Sequence, residues 1–182
     1  MAAVVTSVPE SGSVVHALVV TVSTRAAEGV YEDRSGPVLA EGLRTLGCEV
    51  DGPTVVPDGP ELEGILRESV VAGYDMAVTT GGTGLAPADA TPEMTRRVLD
   101  AEIPGVAEAI RAHGRAAGVP TAALSRGVAG RSGTTFVVNL PGSSGGVRDG
   151  LAVLGPIMFH AIDQLRGGDH PTSAPGHSGG DV

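Results

Sequence analysis

Apolar positions along this chain recur with two alternating periods. Residues 14–22 form an almost unbroken β-branched and apolar run ending in Ser23-Thr24-Arg25, which suits a strand covered on both faces. Residues 37–47 then place Leu39, Leu43 and Leu46 on one helical face, with Gly47 as the stop. Residues 50–56 predict a second strand. Residues 60–72 predict a helix with the stripe Leu62, Ile65, Leu66 and Val70, and residues 74–80 a third strand. Residues 91–99 read as a helix with Thr91 as N-cap and Pro92 at its first position. Residues 104–117 are helical, with Val106, Ala109, Ile110 and His113 on one side. Residues 121–124 read as short and extended, and residues 136–140 as the last strong strand. Residues 146–165 carry Val147, Leu151, Leu154, Met158, Ile162 and Leu165 at helical spacing, interrupted by Gly155-Pro156, where a kink or break is expected.

Strands alternating with helices imply an α/β fold with a mainly parallel sheet covered on both faces. Residues 14–166 form the folded domain in this reading. Residues 1–13, without periodicity, read as a loose arm, and 167–182, rich in Gly, Ser and Pro, as a low-complexity tail. In such a sheet, ligands bind beyond the carboxyl ends of the strands. Ser23-Thr24-Arg25, Pro57-Asp58, the stretch 81–89 and Pro141-Gly142-Ser143-Ser144 all fall at such ends.

Composition narrows the chemistry. The 182 residues fit one domain with a sizeable core. Aromatics are 2% with no Trp, so Val, Leu, Ile and Ala must build that core. All 12 basic residues are Arg. The missing lysine excludes Schiff-base chemistry and a Walker-type phosphate loop. A net charge of −9 argues against a duplex nucleic-acid partner, without excluding a small anion. The single Cys48 rules out an internal disulfide and reads as a small buried hydrophobe. No run approaches the ~18 apolar residues of a membrane span, and the expected location is cytoplasmic. The five histidines show no metal-ligand spacing.

The richest stretch is 79–93. A strand runs into Gly81-Gly82-Thr83-Gly84, then Asp89, then a helix start at Thr91-Pro92-Glu93. Glycines let main-chain N–H groups approach a ligand, and a helix start favours anions. The same glycines would also serve a simple chain reversal. Asp58 precedes Gly59-Pro60, so it suits either a ligand role or a helix cap. Two carboxylates on separate strand-end loops would suit Mg²⁺, which keeps phosphate and water in its shell. The segment with Pro141, Gly142 and Ser143 opens a further helix, and its exposed N–H groups and serine hydroxyls would suit a phosphate, or it is an ordinary strand-to-helix turn. Ser125 and Arg126 follow another short segment, where the arginine would grip a phosphate or form a surface ion pair.

These residues together resemble the molybdopterin-binding (MogA/MoaB-type) family of molybdenum-cofactor biosynthesis. The motifs that carry the resemblance are Val20-Thr21-Val22-Ser23, Asp33-Arg34-Ser35-Gly36-Pro37, Val56-Pro57-Asp58, Thr80-Gly81-Gly82-Thr83-Gly84 with Asp89 and Thr91-Pro92-Glu93, Leu124-Ser125-Arg126, and Asn139-Leu140-Pro141-Gly142. They occur in order from about residue 14 to 166, and are most like those of the stand-alone bacterial adenylyltransferases. The resemblance implies a three-layer α/β/α sandwich and a homotrimer, with the molybdate-inserting enzyme as a possible partner. It implies adenylyl transfer from Mg-ATP to molybdopterin, giving adenylyl-molybdopterin and pyrophosphate. A molybdopterin-binding trimer without catalysis is the alternative. By the same resemblance Asp58 and Asp89 are the essential carboxylates and hold Mg²⁺. Gly81, Gly82, Thr83, Gly84, Pro141, Gly142 and Ser143 hold nucleotide and pterin, and Ser23, Ser125 and Arg126 contact substrate. Three positions depart from the usual pattern: Thr24 where Asp is common, Ala88 where Arg is common, and Ser143-Ser144 where the second residue is often Pro.

Overall fold

A computed structural model describes residues 14–168. The expected arm at 1–13 and residues 169–182 of the expected tail lie outside the described residues. Six strands form one sheet in the order β2-β1-β3-β6-β5-β4. They are β1 (Val15–Val22), β2 (Cys48–Val56), β3 (Met76–Thr80), β4 (Ala101–Glu102), β5 (Ala129–Ser132) and β6 (Thr135–Leu140). The four strands β2, β1, β3 and β6 run parallel; β5 and β4 are antiparallel additions at one edge.

Helices cover both faces, as the alternating pattern requires. They are α1 (Thr24–Ala27), α2 (Ser35–Thr45), α3 (Pro60–Ala72), α4 (Thr91–Arg96), α5 (Pro104–Ala116), α6 (Ser144–Leu154) and α7 (Met158–Leu165). Because side chains alternate across a strand, the central strands feed two cores. Met76, Val78, Phe136 and Val138 pack with Leu39, Leu43, Ile110, Val147, Leu154 and Ile162 from α2, α5, α6 and α7. Ala77 and Val137 point the other way, against Leu62, Leu66, Met94 and Val98 from α3, α4 and the turn that follows it. This is the three-layer sandwich expected. Cys48 is buried as anticipated, and its thiol is pushed up to about 11 by burial and then by the Asp75 charge.

Several local expectations change. Residues 120–124 form a 3₁₀ turn (Pro120–Leu124), not an extended segment; Pro120 opens it, and the Ala122 N–H donates back to the Val119 carbonyl at 3.0 Å. Thr91 is the first helical residue of α4, and Ala90 holds the cap position without a side-chain bond. Gly155-Pro156 breaks the C-terminal helix completely, separating α6 from α7. Strands β4 and β5 were not anticipated. Ala101-Glu102 and Ala129-Gly130-Arg131-Ser132 lack an apolar alternation; pairing with β6 makes β5 a strand, and pairing with β5 makes β4 one.

Candidate active site

The parallel register brings four loops to one edge. Val22 lies beside Val56, Thr21 beside Thr80, and Thr80 beside Leu140. The chain therefore leaves β1, β2, β3 and β6 at one level, delivering Ser23, Asp58, Gly81 and Pro141 together. Cross-bonds fix the two central loops. The Gly81 N–H donates to the Leu140 carbonyl at 3.1 Å, and the Thr80 hydroxyl donates to the Pro141 carbonyl at 2.8 Å. Below them Asn139 is buried and fully bonded. Its Oδ1 accepts from the Val128 N–H at 3.2 Å, and its Nδ2 donates to the Thr79 and Thr95 hydroxyls at 3.0 Å each.

Gly82 sits at the centre of the site with φ +61, in the left-handed region. A Cβ there would stand 2.2 Å from Thr91 Oγ1 and 2.3 Å from Asp58 Oδ1. Glycine is thus required twice, for its backbone angle and for the space the two polar atoms occupy. Both of those atoms are buried without a hydrogen-bond partner. Such orphans are uncommon in folded proteins and mark places where a ligand or a conformational step completes the bonding.

Asp58 is not a helix cap. Gly59 takes the cap position of α3, with no side-chain bond to the helix. Instead Asp58 leans on Thr24, whose hydroxyl lies 3.4 Å from Asp58 Oδ2 and accepts from the Asp58 N–H at 3.2 Å. Burial pushes the Asp58 carboxyl above its ordinary range, and the Asp89 charge adds to the rise. The Ala90 and Thr24 N–H groups and the Thr24 hydroxyl oppose it. Asp89 is oriented by its own turn. Its Oδ2 accepts from the Ala86 N–H at 3.0 Å, while its N–H donates to the Ala86 carbonyl at 2.9 Å.

Two cavities of about 560 Å³ each open on either side of this centre. They share Gly82, Asp89 and Gly142 as a common ridge. The first is flanked by Ile110, Val119, Leu85 and Leu124, and also holds Thr83, Ser125 and Ser143. The second carries more polar side chains, among them Ser23, Thr24, Arg25, Arg34, Asp33 and Asp58.

Residues 18–160 match the family described as probable molybdopterin binding domain. The chain belongs to that family. It is 40% identical to the molybdenum cofactor biosynthesis bifunctional protein of Synechococcus elongatus over 87% of this chain and 50% of that protein, and so spans about half its length. It is 36% identical to the molybdopterin adenylyltransferase of Pyrococcus furiosus, over 81% of this chain and 89% of the relative. The solved structure of the molybdopterin biosynthesis Mog protein from Mycobacterium ulcerans superposes with a TM-score of 0.80 at 47% identity, covering 86% of this chain and 99% of that one.

Within this molybdopterin-binding domain, the anticipated site residues divide by what holds them. Gly82, Thr83, Gly84, Ser125, Pro141, Gly142, Ser143 and Asp89 line the first cavity. Ser23, Asp58, Gly81, Gly82, Gly142 and Asp89 line the second. Two serine hydroxyls already have local work. Ser23 Oγ accepts from the Ala26 N–H at 3.2 Å, and Ser143 Oγ from the Gly146 N–H at 3.0 Å, each capping a helix. Arg126 borders neither cavity. Its Nε donates to the Gly84 carbonyl at 2.7 Å, its Nη2 to the Asp89 carbonyl at 2.7 Å, and its Nη1 pairs with Glu93. The guanidinium is a staple for the 84–93 loop, not an open phosphate clamp.

Sequence reading passed over Arg111. It lies on α5 beside the core residue Ile110, and its Nη1 donates to the Ser125 and Gly127 carbonyls at 3.3 and 3.2 Å, at the wall of the first cavity. Nothing in its helical neighbours distinguishes it from a surface arginine. The role of Asp33 was carried only by the family motif. Its carboxylate accepts from the Thr21 hydroxyl at 2.7 Å and from the Ser35 and Gly36 N–H groups at 3.1 and 2.9 Å, tying the second cavity's outer loop to β1. The Asp-x-Ser-Gly spacing was its local signal, since such turns bond an aspartate to N–H groups two and three residues on.

Proposed function

We propose that this chain is a molybdopterin adenylyltransferase, moving the adenylyl group of ATP onto the terminal phosphate of molybdopterin and releasing pyrophosphate. The observation that carries the reading is the pair of cavities meeting on Gly82, Asp89 and Gly142. A transfer between two substrates needs two pockets with one common boundary, where the reacting phosphorus is presented to the attacking oxygen. The cavity bordered by Ile110, Val119 and Leu124 suits a flat heterocycle. The cavity holding Arg25, Arg34 and Asp58 suits a polyphosphate with its metal. A phosphate oxygen of the pterin attacks the α-phosphorus, the bond from that phosphorus to the bridging β-oxygen breaks, and pyrophosphate carries away the electron pair. No covalent enzyme intermediate is required, so positioning and charge neutralisation supply the rate.

The residues fit a bound Mg²⁺. The Asp89 charge helps to raise Asp58, and Asp58 Oδ1 is left without a partner. No cluster of three or more His, Cys, Asp or Glu suited to a metal exists among the described residues. Two carboxylates with phosphate and water completing the shell are therefore the arrangement this chain offers, and it is one that Mg²⁺ favours. When bound, the ion would neutralise charge on the phosphate oxygens. Thr24 takes part by holding Asp58. Where the family commonly has an aspartate, this chain presents a hydroxyl that supports the carboxylate without adding a third negative charge. The homotrimer, an association with the molybdate-inserting enzyme and a cytoplasmic location belong to the same proposal, the first two resting on the resemblance.

The second reading is a pterin-binding protein without turnover. Ala88 favours it, since it lines the polyphosphate cavity where the family commonly has Arg. Both carboxylates favour the enzyme. The test is an anaerobic assay with molybdopterin and Mg-ATP that follows adenylyl-molybdopterin and pyrophosphate. Product that disappears in Asp89→Asn supports the transferase. Tight pterin binding without product selects the second reading.

A further inference from the structure

The polar cavity must hold a chain of phosphates beside Asp58 and Asp89, yet Ala88 withholds a cation. The cationic side chains on its wall are Arg25 and Arg34. Neither forms a salt bridge to a carboxylate among the described residues. They differ in how they are held. The Arg25 guanidinium carbon lies 4.1 Å from the centre of the Tyr31 ring. The backbone enforces that stack, because the Val30 and Tyr31 N–H groups both donate to the Arg25 carbonyl, at 2.8 and 3.2 Å. Residues 25–31 thus form a closed loop that sets ring against guanidinium. Among the described residues, no ring or carboxylate holds the Arg34 guanidinium.

Tyr31 is 56% exposed, the one aromatic among the large hydrophobic side chains exposed in the described residues, in a chain with only two tyrosines. Packing does not explain it, because it is not part of either core. A ring in that position restrains a guanidinium while leaving its N–H edges open. Stacking on an aromatic face occupies the plane of the group, and the in-plane donors remain available for two phosphate oxygens. Restraint before binding also removes much of the rotamer entropy that a long side chain otherwise loses.

We propose that Arg25, held by its stack on Tyr31, is the arm that binds the leaving pyrophosphate portion of the nucleotide in the polar cavity. The inference rests on the adenylyl-transfer reading of that cavity. It makes Arg25 a substrate-binding residue and Tyr31 a positioning residue that acts through it. Arg34 contributes charge to the same cavity without the fixed geometry.

The experiment is calorimetric titration of the full chain with Mg-pyrophosphate, and separately with a non-hydrolysable ATP analogue. The variants are Arg25→Ala, Arg34→Ala, Tyr31→Ala and Tyr31→Phe, and molybdopterin binding and steady-state turnover are measured on the same proteins. Loss of a two-pronged charged contact predicts that Arg25→Ala weakens pyrophosphate by about 10-fold or more. Arg34→Ala, with the same change of charge, has a smaller effect. Tyr31→Ala falls between wild type and Arg25→Ala, and Tyr31→Phe, which keeps the ring, restores wild-type affinity. Molybdopterin affinity stays constant throughout. The arm is overturned if Arg25→Ala binds pyrophosphate like wild type, if Arg34→Ala is equally damaging, if Tyr31→Ala has no effect, or if the wild type binds no pyrophosphate. Turnover by the wild type together with an unaffected ATP KM in Arg25→Ala removes the arm and keeps the transferase. Arg25-dependent pyrophosphate binding without any turnover keeps the arm and removes the transferase.

Discussion

The two cavities have equal volume and share a wall, yet they are built by opposite means. The first lies against α5 and the 3₁₀ turn, and much of its wall is apolar side chains from 110–124, a segment distant in sequence from the glycine loops opposite: Ile110 from the core, with Ala122 and the exposed Val119 and Leu124. The second is a cage of short-range polar contacts, in which Asp33 ties down its own turn, Ser23 caps α1, and Arg25 stacks on Tyr31. Shape and apolar contact decide what enters the first. Charge and hydrogen-bond donors decide what enters the second. A protein that joins a heterocyclic phosphate to a nucleotide needs both kinds of recognition, and the difference predicts that damage to one side leaves affinity on the other intact.

The largest effect is expected at the common ridge. Asp89→Asn keeps an acceptor for the Ala86 N–H but loses the charge, and turnover should fall by roughly three orders of magnitude while the unfolding midpoint stays near wild type. Near-normal rates in this variant would remove the ridge as the place of reaction. Gly82→Ala comes next. It forces a Cβ onto Asp58 and Thr91 at a positive φ, so it should cost about 1–3 kcal/mol in urea unfolding and weaken both substrates together. An effect confined to one substrate would show that the ridge is not shared.

Arg111→Met sharpens the comparison from the first cavity. It leaves the Ser125 and Gly127 carbonyls without their donor, and the KM for molybdopterin should rise by about tenfold with the KM for ATP unchanged. Equal rises would mean that the cavities are not separate binding units. The smallest effect concerns stability. Burial raises Asp58 above its ordinary value of 3.8, so the folded state retains a proton that the unfolded chain has already released. Stability contributed by this group therefore falls as pH rises from about the ordinary value through the raised one, and stays reduced above it. Asp58→Asn removes that penalty. In thermal melts taken from acidic to neutral pH, the variant should gain on the wild type across this window, although it loses activity. A difference that shrinks with rising pH would contradict the burial of the carboxylate.

Part of the polar cavity was legible from the chain, with Asp58 and Gly81-Gly82 marked by their places at strand ends and Asp33 only through the family motif. The Asp-x-Ser-Gly turn and the strand-then-glycine pattern at 79–84 are written within a few residues of one another. The fold class was legible for the same reason, since alternating runs of β-branched and helically spaced residues need no distant partner to be recognised. The apolar cavity was not. Arg111 is an ordinary helical arginine until the 125–127 segment folds over it. Strands β4 and β5 lack periodicity; β5 exists because β6 offers it an edge, and β4 because β5 does. Arg126 was read as a phosphate ligand or a surface ion pair. Its hydrogen bonds to the Gly84 and Asp89 carbonyls depend on a loop that lies far away in sequence.

The sequence by itself determined the layered α/β architecture and the strand-end loops, and put Asp58 and Asp89 on two of them, because periodicity, glycine geometry and residue chemistry are properties of short segments. Only the tertiary structure decided that Asp58 supports no helix and keeps an unpartnered oxygen beside Gly82, that Arg126 is spent on a loop, and that one ridge divides two cavities. Those are questions of which atoms meet across the parallel register of β2, β1, β3 and β6, and a hydrogen bond or an orphaned oxygen exists only once both sides have been brought within about 3 Å.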